Sequence, residues 1–145
     1  MTPNTTTCLR QSPHDPKVFF AATGGDGALW SSDRGLTWTR LAGISTERTL
    51  HNGEFDPRDA RRLVYCGWGA GVQVSEDGGK TWLDRTAGLP KREVWKVAID
   101  PDLPDRIYAA PYMEPLFASD DFGRTWRKLQ WEKANVFDLV FVPRK

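Results

Sequence analysis

An eight-residue segment occurs three times along the chain at a constant spacing, and this repeat restricts the fold more than any other feature. The copies are Ser31–Trp38, Ser75–Trp82 and Ser119–Trp126, and consecutive copies are 44 residues apart. The same spacing relates the dipeptides 12–13, 56–57 and 100–101, and the apolar segments 18–21, 62–65 and 106–109. A period of about 40–45 residues predicts a repeat array, with β-propeller blades as the leading interpretation.

Each repeat is interpreted as four short strands, A to D. In strand A of the third repeat, Trp95, Val97 and Ile99 alternate onto one face, as the period of two in a β-strand requires. Gly or Pro interrupts the chain about every ten residues, and no window shows a sustained helical period. We therefore predict an all-β fold with three four-stranded antiparallel blades at about 5–43, 48–87 and 93–131, and an extra strand at about 135–142.

The repeated segment has the pattern Ser-x-Asp-x-Gly-x-Thr-Trp, which suits the tight hairpin between strands C and D. The Asp carboxylate can accept backbone N–H groups across such a turn, and Gly can adopt positive φ. The closing Trp is expected to bury a large apolar surface between layers. The predicted structural residues are Ser31, Asp33, Gly35, Thr37, Trp38, Ser75, Asp77, Gly79, Thr81, Trp82, Ser119, Asp121, Gly123, Thr125 and Trp126.

These three segments closely resemble the Asp-box, also called the bacterial neuraminidase repeat. It occurs in β-propellers such as sialidases, xyloglucanases, sortilin-type receptors and photosystem assembly factors. The resemblance extends over residues 12–143 and implies a propeller. It implies no single activity, because the motif is a fold element in all of these proteins.

Three repeats of 44 residues account for 132 of the 145 residues, whereas propellers close with about four to eight blades. Residues 136–143 match 94–101 and predict a fourth strand A without its blade; residues 6–13 fit that pattern less well. Two alternatives follow. The chain is part of a larger propeller, or it forms a dimeric or trimeric ring in which the strand at 136–142 completes the first blade of the next copy.

The loops that join B to C and D to A are predicted to form the ligand-binding face, as in propellers of this kind. The B–C loops 24–27, 67–71 and 111–115 differ among the repeats, and this variability within a strict repeat favours a binding role. Trp68, Trp95 and His51 could instead pack within the core. The candidate ligand-binding residues are Trp68, Tyr112, Glu114, His51, Arg48, Arg92 and Trp95.

Composition limits the class of function. The net charge of +1 gives no concentrated basic face, which argues against nucleic-acid or membrane-surface binding. No apolar run reaches the roughly 20 residues of a membrane span, and no signal peptide is visible, so the compartment stays undetermined. Two cysteines and two histidines without a partner pattern predict no metal and no cofactor.

Two functions from different classes remain. The favoured one is a non-catalytic recognition or assembly module that binds a glycan or a protein segment. The alternative is a glycoside hydrolase of the sialidase or xyloglucanase type, or a fragment of one, with Asp26 and Glu114 as weak catalytic candidates. Such a pair would need carboxyl groups roughly 5–9 Å apart. The resemblance to sialidases is incomplete, because their Arg-Ile-Pro element is missing.

Overall fold

The computed structural model describes residues 5–129 and 135–142. Within them, twelve strands form three four-stranded antiparallel sheets and no helix occurs. In each sheet the strands lie side by side in chain order, so each repeat folds into one blade. The strands are β1 (Thr6–Gln11), β2 (Phe19–Thr23), β3 (Ala28–Ser31), β4 (Thr39–Arg40), β5 (Leu50–Phe55), β6 (Leu63–Gly67), β7 (Gly71–Ser75), β8 (Leu83–Asp84), β9 (Val94–Ile99), β10 (Ile107–Pro111), β11 (Phe117–Ser119) and β12 (Arg127–Lys128).

The four strands predicted in each blade are confirmed, with small shifts at their ends, whereas the extra strand predicted at about 135–142 is not formed. Strand A of the third repeat is β9, with the predicted bounds Val94–Ile99. Strand D begins one residue after the Trp of each repeat and has only two residues. It is short because the motif's Trp still belongs to the turn, where its ring lies over the glycine of the same hairpin in the first two repeats.

The apolar core lies between consecutive blades. One cluster joins the first two blades and contains Phe20, Leu63 and Tyr65. Gly53 permits this packing, because a Cβ atom there would lie 2.4 Å from the ring of Phe20. A second cluster joins the second and third blades and includes Phe122, which is fully buried beneath the guanidinium of Arg62.

The three hairpin turns share one hydrogen-bond network. The motif's first Ser donates to the Asp carboxylate at 2.7–2.8 Å and accepts the N–H of the Gly at 2.7–2.8 Å. The same carboxylate accepts the Thr N–H at 2.8–2.9 Å and the Thr hydroxyl at 2.5–2.6 Å. The Gly residues have φ of 83–86°, a conformation that favours glycine.

This network changes the acidity of the three carboxyl groups. Hydrogen bonds from the motif's Thr lower the pKa of Asp33 and Asp77 to about 2. Burial acts in the opposite direction at Asp121, but hydrogen bonds from Thr125 and Ser119 still lower its pKa to about 2. The three carboxylates are therefore ionised at neutral pH and hydrogen-bonded within their own turns.

Residues 135–142 lie where the inner strand of a fourth blade would begin, but they are not part of any of the three sheets. Asp138 forms an ion pair of 2.7 Å with Lys96 on β9, and the ring of Phe137 lies 6.1 Å from that of Trp95. No ladder forms because the described chain offers no strand B for this position. The first blade, in contrast, already has its own inner strand, since β1 pairs with β2.

Candidate ligand-binding face

An extra residue near the start of each inner strand orients the side chains of this face. The pairing register shifts between Thr6 and Cys8, between Leu50 and Asn52, and opposite Ala110 and Pro111. The residues at these bulges occupy equivalent positions of the repeat and are Thr7, His51 and Trp95. A bulge redirects a side chain out of the regular alternation. Sequence periodicity alone did not predict it.

The bulges bring together an aromatic cluster, which consists of His51, Trp68, Trp95, Tyr112 and Phe137. Trp95 lies at its centre, with ring centroids 4.3 Å from His51, 5.9 Å from Trp68, 5.8 Å from Tyr112 and 6.1 Å from Phe137. The rings of Trp68 and Tyr112 are 5.2 Å apart. The cluster therefore joins the second blade, the third blade and residues 135–142.

The cluster is buried at its base and open at its surface. Trp68 is 44% exposed and Phe137 is 65% exposed, and neighbouring Met113 is 63% exposed. Burial lowers the pKa of His51, so its imidazole is neutral at physiological pH. Within the described residues, the His51 Nε2 and Trp95 Nε1 atoms are buried without a hydrogen-bond partner. Trp68 thus packs across the blade interface and keeps part of its ring exposed to solvent.

The acidic candidates are held in ion pairs. The Asp26 carboxylate lies 3.0 Å from the Arg40 guanidinium, and the Glu114 carboxylate lies 3.2 Å from the Lys91 ammonium. Asp26 belongs to the first blade and Glu114 to the third, with the second blade between them in chain order. The structure shows no contact that brings these two carboxyl groups together among the residues it describes.

The two arginine candidates border a cavity of 170 Å³ between the loops of the first and second blades. Arg92 forms an ion pair of 2.5 Å with Asp84 and donates to the carbonyl oxygens of Gly69 and Ala70 at 3.3 and 3.2 Å. It therefore fixes the loop that carries Trp68. Arg48 is exposed and its guanidinium lies over Gly69. A Cβ atom at position 69 would lie 2.3 Å from the Nη1 atom of Arg48, so a larger residue there would displace this side chain.

A second cavity, of 250 Å³, lies beneath the aromatic cluster along the inner strands, and charged groups alternate beside it. The contacts are Arg10 to Glu54 at 4.0 Å, Glu54 to Lys96 at 3.9 Å and Lys96 to Asp138 at 2.7 Å. Burial raises the pKa of Glu54 despite these cations. The alternation of sign makes each inner strand electrostatically complementary to its neighbour.

Two further findings concern the described residues only. Residues 5–129 and 135–142 contain no group of three or more His, Cys, Asp or Glu side chains that could hold a metal ion. In the same part of the chain, no helix is long and apolar enough to span a membrane.

Comparison with known proteins identifies the repeat. Residues 116–129 match the BNR-Asp box repeat. No curated protein matches the chain in sequence. Solved structures show that the fold is that of β-propeller proteins, so the chain is a partial β-propeller.

Three of these propeller structures illustrate the range of functions. The GH74 xyloglucanase from Xanthomonas campestris has 23% identity and a TM-score of 0.70, with 88% of this chain and 24% of that chain covered. YCF48 from Cyanidioschyzon merolae has 21% identity and a TM-score of 0.70, with 90% and 38% covered. YCF48 bound to D1 peptide has 18% identity and a TM-score of 0.68, with 90% and 43% covered. The chain thus spans less than half the length of each of these structures.

Proposed function

We propose that the chain is a non-catalytic recognition module that binds a protein segment through the aromatic cluster. The observation that carries this proposal is Trp68, a large apolar side chain that is 44% exposed in the variable loop 67–71. Its position is fixed by contact with Trp95 and Tyr112, so little side-chain freedom is lost when a ligand binds. Rigid, partly exposed aromatic residues are the usual anchors of binding interfaces.

The surroundings of the cluster favour a polypeptide over a glycan. Met113, next to Tyr112 in the chain, and Phe137, which contacts Trp95, are also exposed, and methionine adapts readily to apolar side chains of a partner. The nearby carboxylate of Glu114 is paired with Lys91, which leaves it less available to sugar hydroxyl groups. A propeller of the same fold, YCF48, has been solved with a D1 peptide bound, which supports this class of ligand for a partial propeller.

The glycoside hydrolase alternative has weaker support. Glycoside hydrolysis generally uses two carboxyl groups that flank the scissile bond, one of them protonated. Asp26 is paired with Arg40 on the first blade and Glu114 with Lys91 near the third, and no contact among the described residues joins the two carboxyl groups. The similarity to GH74 enzymes is below 25% identity and supports the fold rather than the reaction.

We further propose that additional blades complete the ring, either from a second copy of the chain or from the remainder of a larger propeller. The support is that three blades are too few for closure, which takes about four to eight. Apolar side chains also remain exposed at both ends of the array, with Leu9 on β1 52% exposed and Val140 73% exposed.

The ligand proposal is tested by probing the purified chain on a random peptide array and on a glycan array. Substitution of Trp68 or Tyr112 by Ala is expected to weaken peptide binding about thirtyfold or more, since truncation of a central aromatic anchor costs about 2 kcal/mol or more. Leu103→Ala is the matched control, because Leu103 is also 44% exposed but lies in the A–B loop of the third blade.

The outcomes separate the functions. Binding to glycans alone would replace the peptide proposal by a glycan one, and unchanged peptide binding in Trp68→Ala would overturn the aromatic site. Turnover of a chromogenic glycoside that is lost in Asp26→Asn or Glu114→Gln, with the fold intact, would establish the hydrolase instead.

A further inference from the structure

We infer that residues 135–142 of one chain replace β1 in the first blade of a second copy. The second copy does the same in return, so that the two chains close a six-bladed ring. This inference rests on the proposed completion of the ring and names the partner and the strand that joins it. Three observations support it: the position of residues 135–142, the poor packing of β1, and the charges along the inner strands.

Residues 135–142 already dock on the third blade as an inner strand would. Asn52 on β5 binds the backbone of Val97 on β9, with its amide oxygen accepting the N–H at 2.8 Å. One blade further on, Lys96 on β9 pairs with Asp138 at 2.7 Å. Asn52, Lys96 and Asp138 occupy equivalent positions in successive repeats. The segment therefore continues the series of contacts between neighbouring inner strands, although it is not hydrogen-bonded into any of the three sheets.

The segment has the composition of a strand that is covered on both faces. Its odd positions include Phe137, Leu139 and Phe141, and its even positions include Val140 and Val142. Apolar residues on both faces are typical of strands buried on both sides. In the single chain, however, Val140 is 73% exposed and Val142 is 83% exposed, so this surface lacks its partner.

β1 is the least buried inner strand. Cys8 is its only buried residue, whereas β5 buries four of six residues and β9 buries five. By the repeat alignment, Leu139 replaces Leu9, Val140 replaces Arg10 and Phe141 replaces Gln11. Exchange would therefore place apolar side chains in slots where β1 has polar ones. The additional apolar area removed from water favours residues 135–142 over β1 at this position.

The charges permit the same exchange. Asp138 would retain Lys96 of its own chain and enter the slot of Cys8, next to the neutral Asn52 of the second copy. The Arg10 to Glu54 contact would be lost, but it is long, at 4.0 Å, and partly exposed, so it contributes little. Reciprocal exchange between two copies gives a closed two-fold ring within the usual range of blade numbers.

The experiment combines solution mass with a directed cross-link on the 145-residue chain. Light scattering after size exclusion is expected to give twice the 16.4 kDa of one chain. In β1, Leu9 pairs with Ala21 of β2, so an exchanged strand places Leu139 opposite Ala21 of the other copy. In a background with both native cysteines replaced, a Leu139→Cys chain mixed with an Ala21→Cys chain should therefore form an intermolecular disulfide.

The matched control is Leu29→Cys, because Leu29 on β3 lies one strand beyond Ala21 and should not cross-link to Leu139→Cys. Removal of residues 135–145 should give a monomer. A monomeric full chain, or a dimer in which Leu139→Cys and Ala21→Cys do not cross-link, would overturn the exchange. Neither result would alter peptide binding through Trp68, so a failure of this inference can be distinguished from a failure of the proposed ligand site.

Discussion

At the scale of single residues, the hairpin turns depend on a hydroxyl and a carboxylate that replace missing backbone partners. Ser75 is fully buried and its Oγ accepts the N–H of Gly79 at 2.8 Å while it donates to Asp77 at 2.8 Å. Because a buried N–H without an acceptor is costly, the hydroxyl is expected to matter more for stability than its size suggests.

Ser75→Ala tests this contribution. The substitution is expected to lower the free energy of unfolding by about 1–2 kcal/mol, because it leaves the Gly79 N–H unsatisfied. Chemical denaturation followed by tryptophan fluorescence measures the change. Ser32→Ala at an exposed position is the control and should have little effect, and an equal loss in both variants would contradict the role of the buried hydroxyl.

The carboxylates of the turns predict a defined dependence of stability on acid. Because hydrogen bonds lower the pKa of Asp33 and Asp77 to about 2, both groups stabilise the folded chain above the unfolded pKa of about 3.9. This stabilisation is expected to be lost progressively as the pH falls from about 4 towards 2.

Urea denaturation at several pH values measures this loss. A variant with Asp33, Asp77 and Asp121 all changed to Asn is expected to be less stable at neutral pH and to show a flatter dependence between about pH 4 and 2. An unchanged slope in that variant would mean that other carboxyl groups determine the acid sensitivity.

At the scale of elements, the same side chain has different surroundings in each blade. The ring of Trp82 lies 4.8 Å from Tyr65 and packs into the core between the first two blades, and the Trp126 indole donates to the Arg85 carbonyl of the preceding blade at 2.7 Å. No blade precedes the first one in the described chain, and Trp38 is 37% exposed. The repeat thus supplies its own internal comparison.

Trp82→Ala is expected to destabilise the chain by about 3 kcal/mol, because it leaves a cavity between two blades. Trp38→Ala, at the equivalent position without a preceding blade, should cost about 1 kcal/mol, in proportion to its smaller buried area. Thermal and urea unfolding of the two variants measures the difference. Equal losses would show that the Trp acts within its own hairpin rather than between blades.

The sequence predicted the strands of the three blades well, but it did not predict the contacts within the candidate site. The spacing of 44 residues locates the three blades, as expected for a repeat array, and the period of two, which follows from backbone geometry, locates strands within them. The contact of Trp95 with His51 depends on bulges, and the ion pair of Glu114 with Lys91 depends on loop conformation. Neither follows from periodicity, which describes regular strands only.

At the scale of the whole molecule, the blades differ in how much of their inner strand is buried. Cys66 lies in the core between the second and third blades and burial raises the pKa of its thiol, which makes it unreactive in the folded chain. Cys8 is buried in β1, an inner strand with no other buried residue. Local opening at the first blade should therefore require less free energy than separation of the other two.

Thiol alkylation followed by peptide mass spectrometry tests this order. Cys8 is expected to react at least tenfold faster than Cys66 in native buffer, because release of β1, by local opening or by replacement with residues 135–142 of a second copy, exposes Cys8 alone. In denaturant, where both thiols are exposed, the two rates should become similar. Equal rates in native buffer would indicate that all three blades open in one cooperative step.

The hydrogen bonds between blades have a consequence for how such a chain can change over time. Those described join residues 41–48 positions apart, about one repeat length. Each blade consequently interacts with its immediate neighbours, as in other repeat proteins. A gene duplication or deletion of one whole unit would preserve every remaining junction, whereas the loss of a few residues would misalign all the junctions on one blade. Such an array can evolve in steps of 44 residues while each loop diversifies independently.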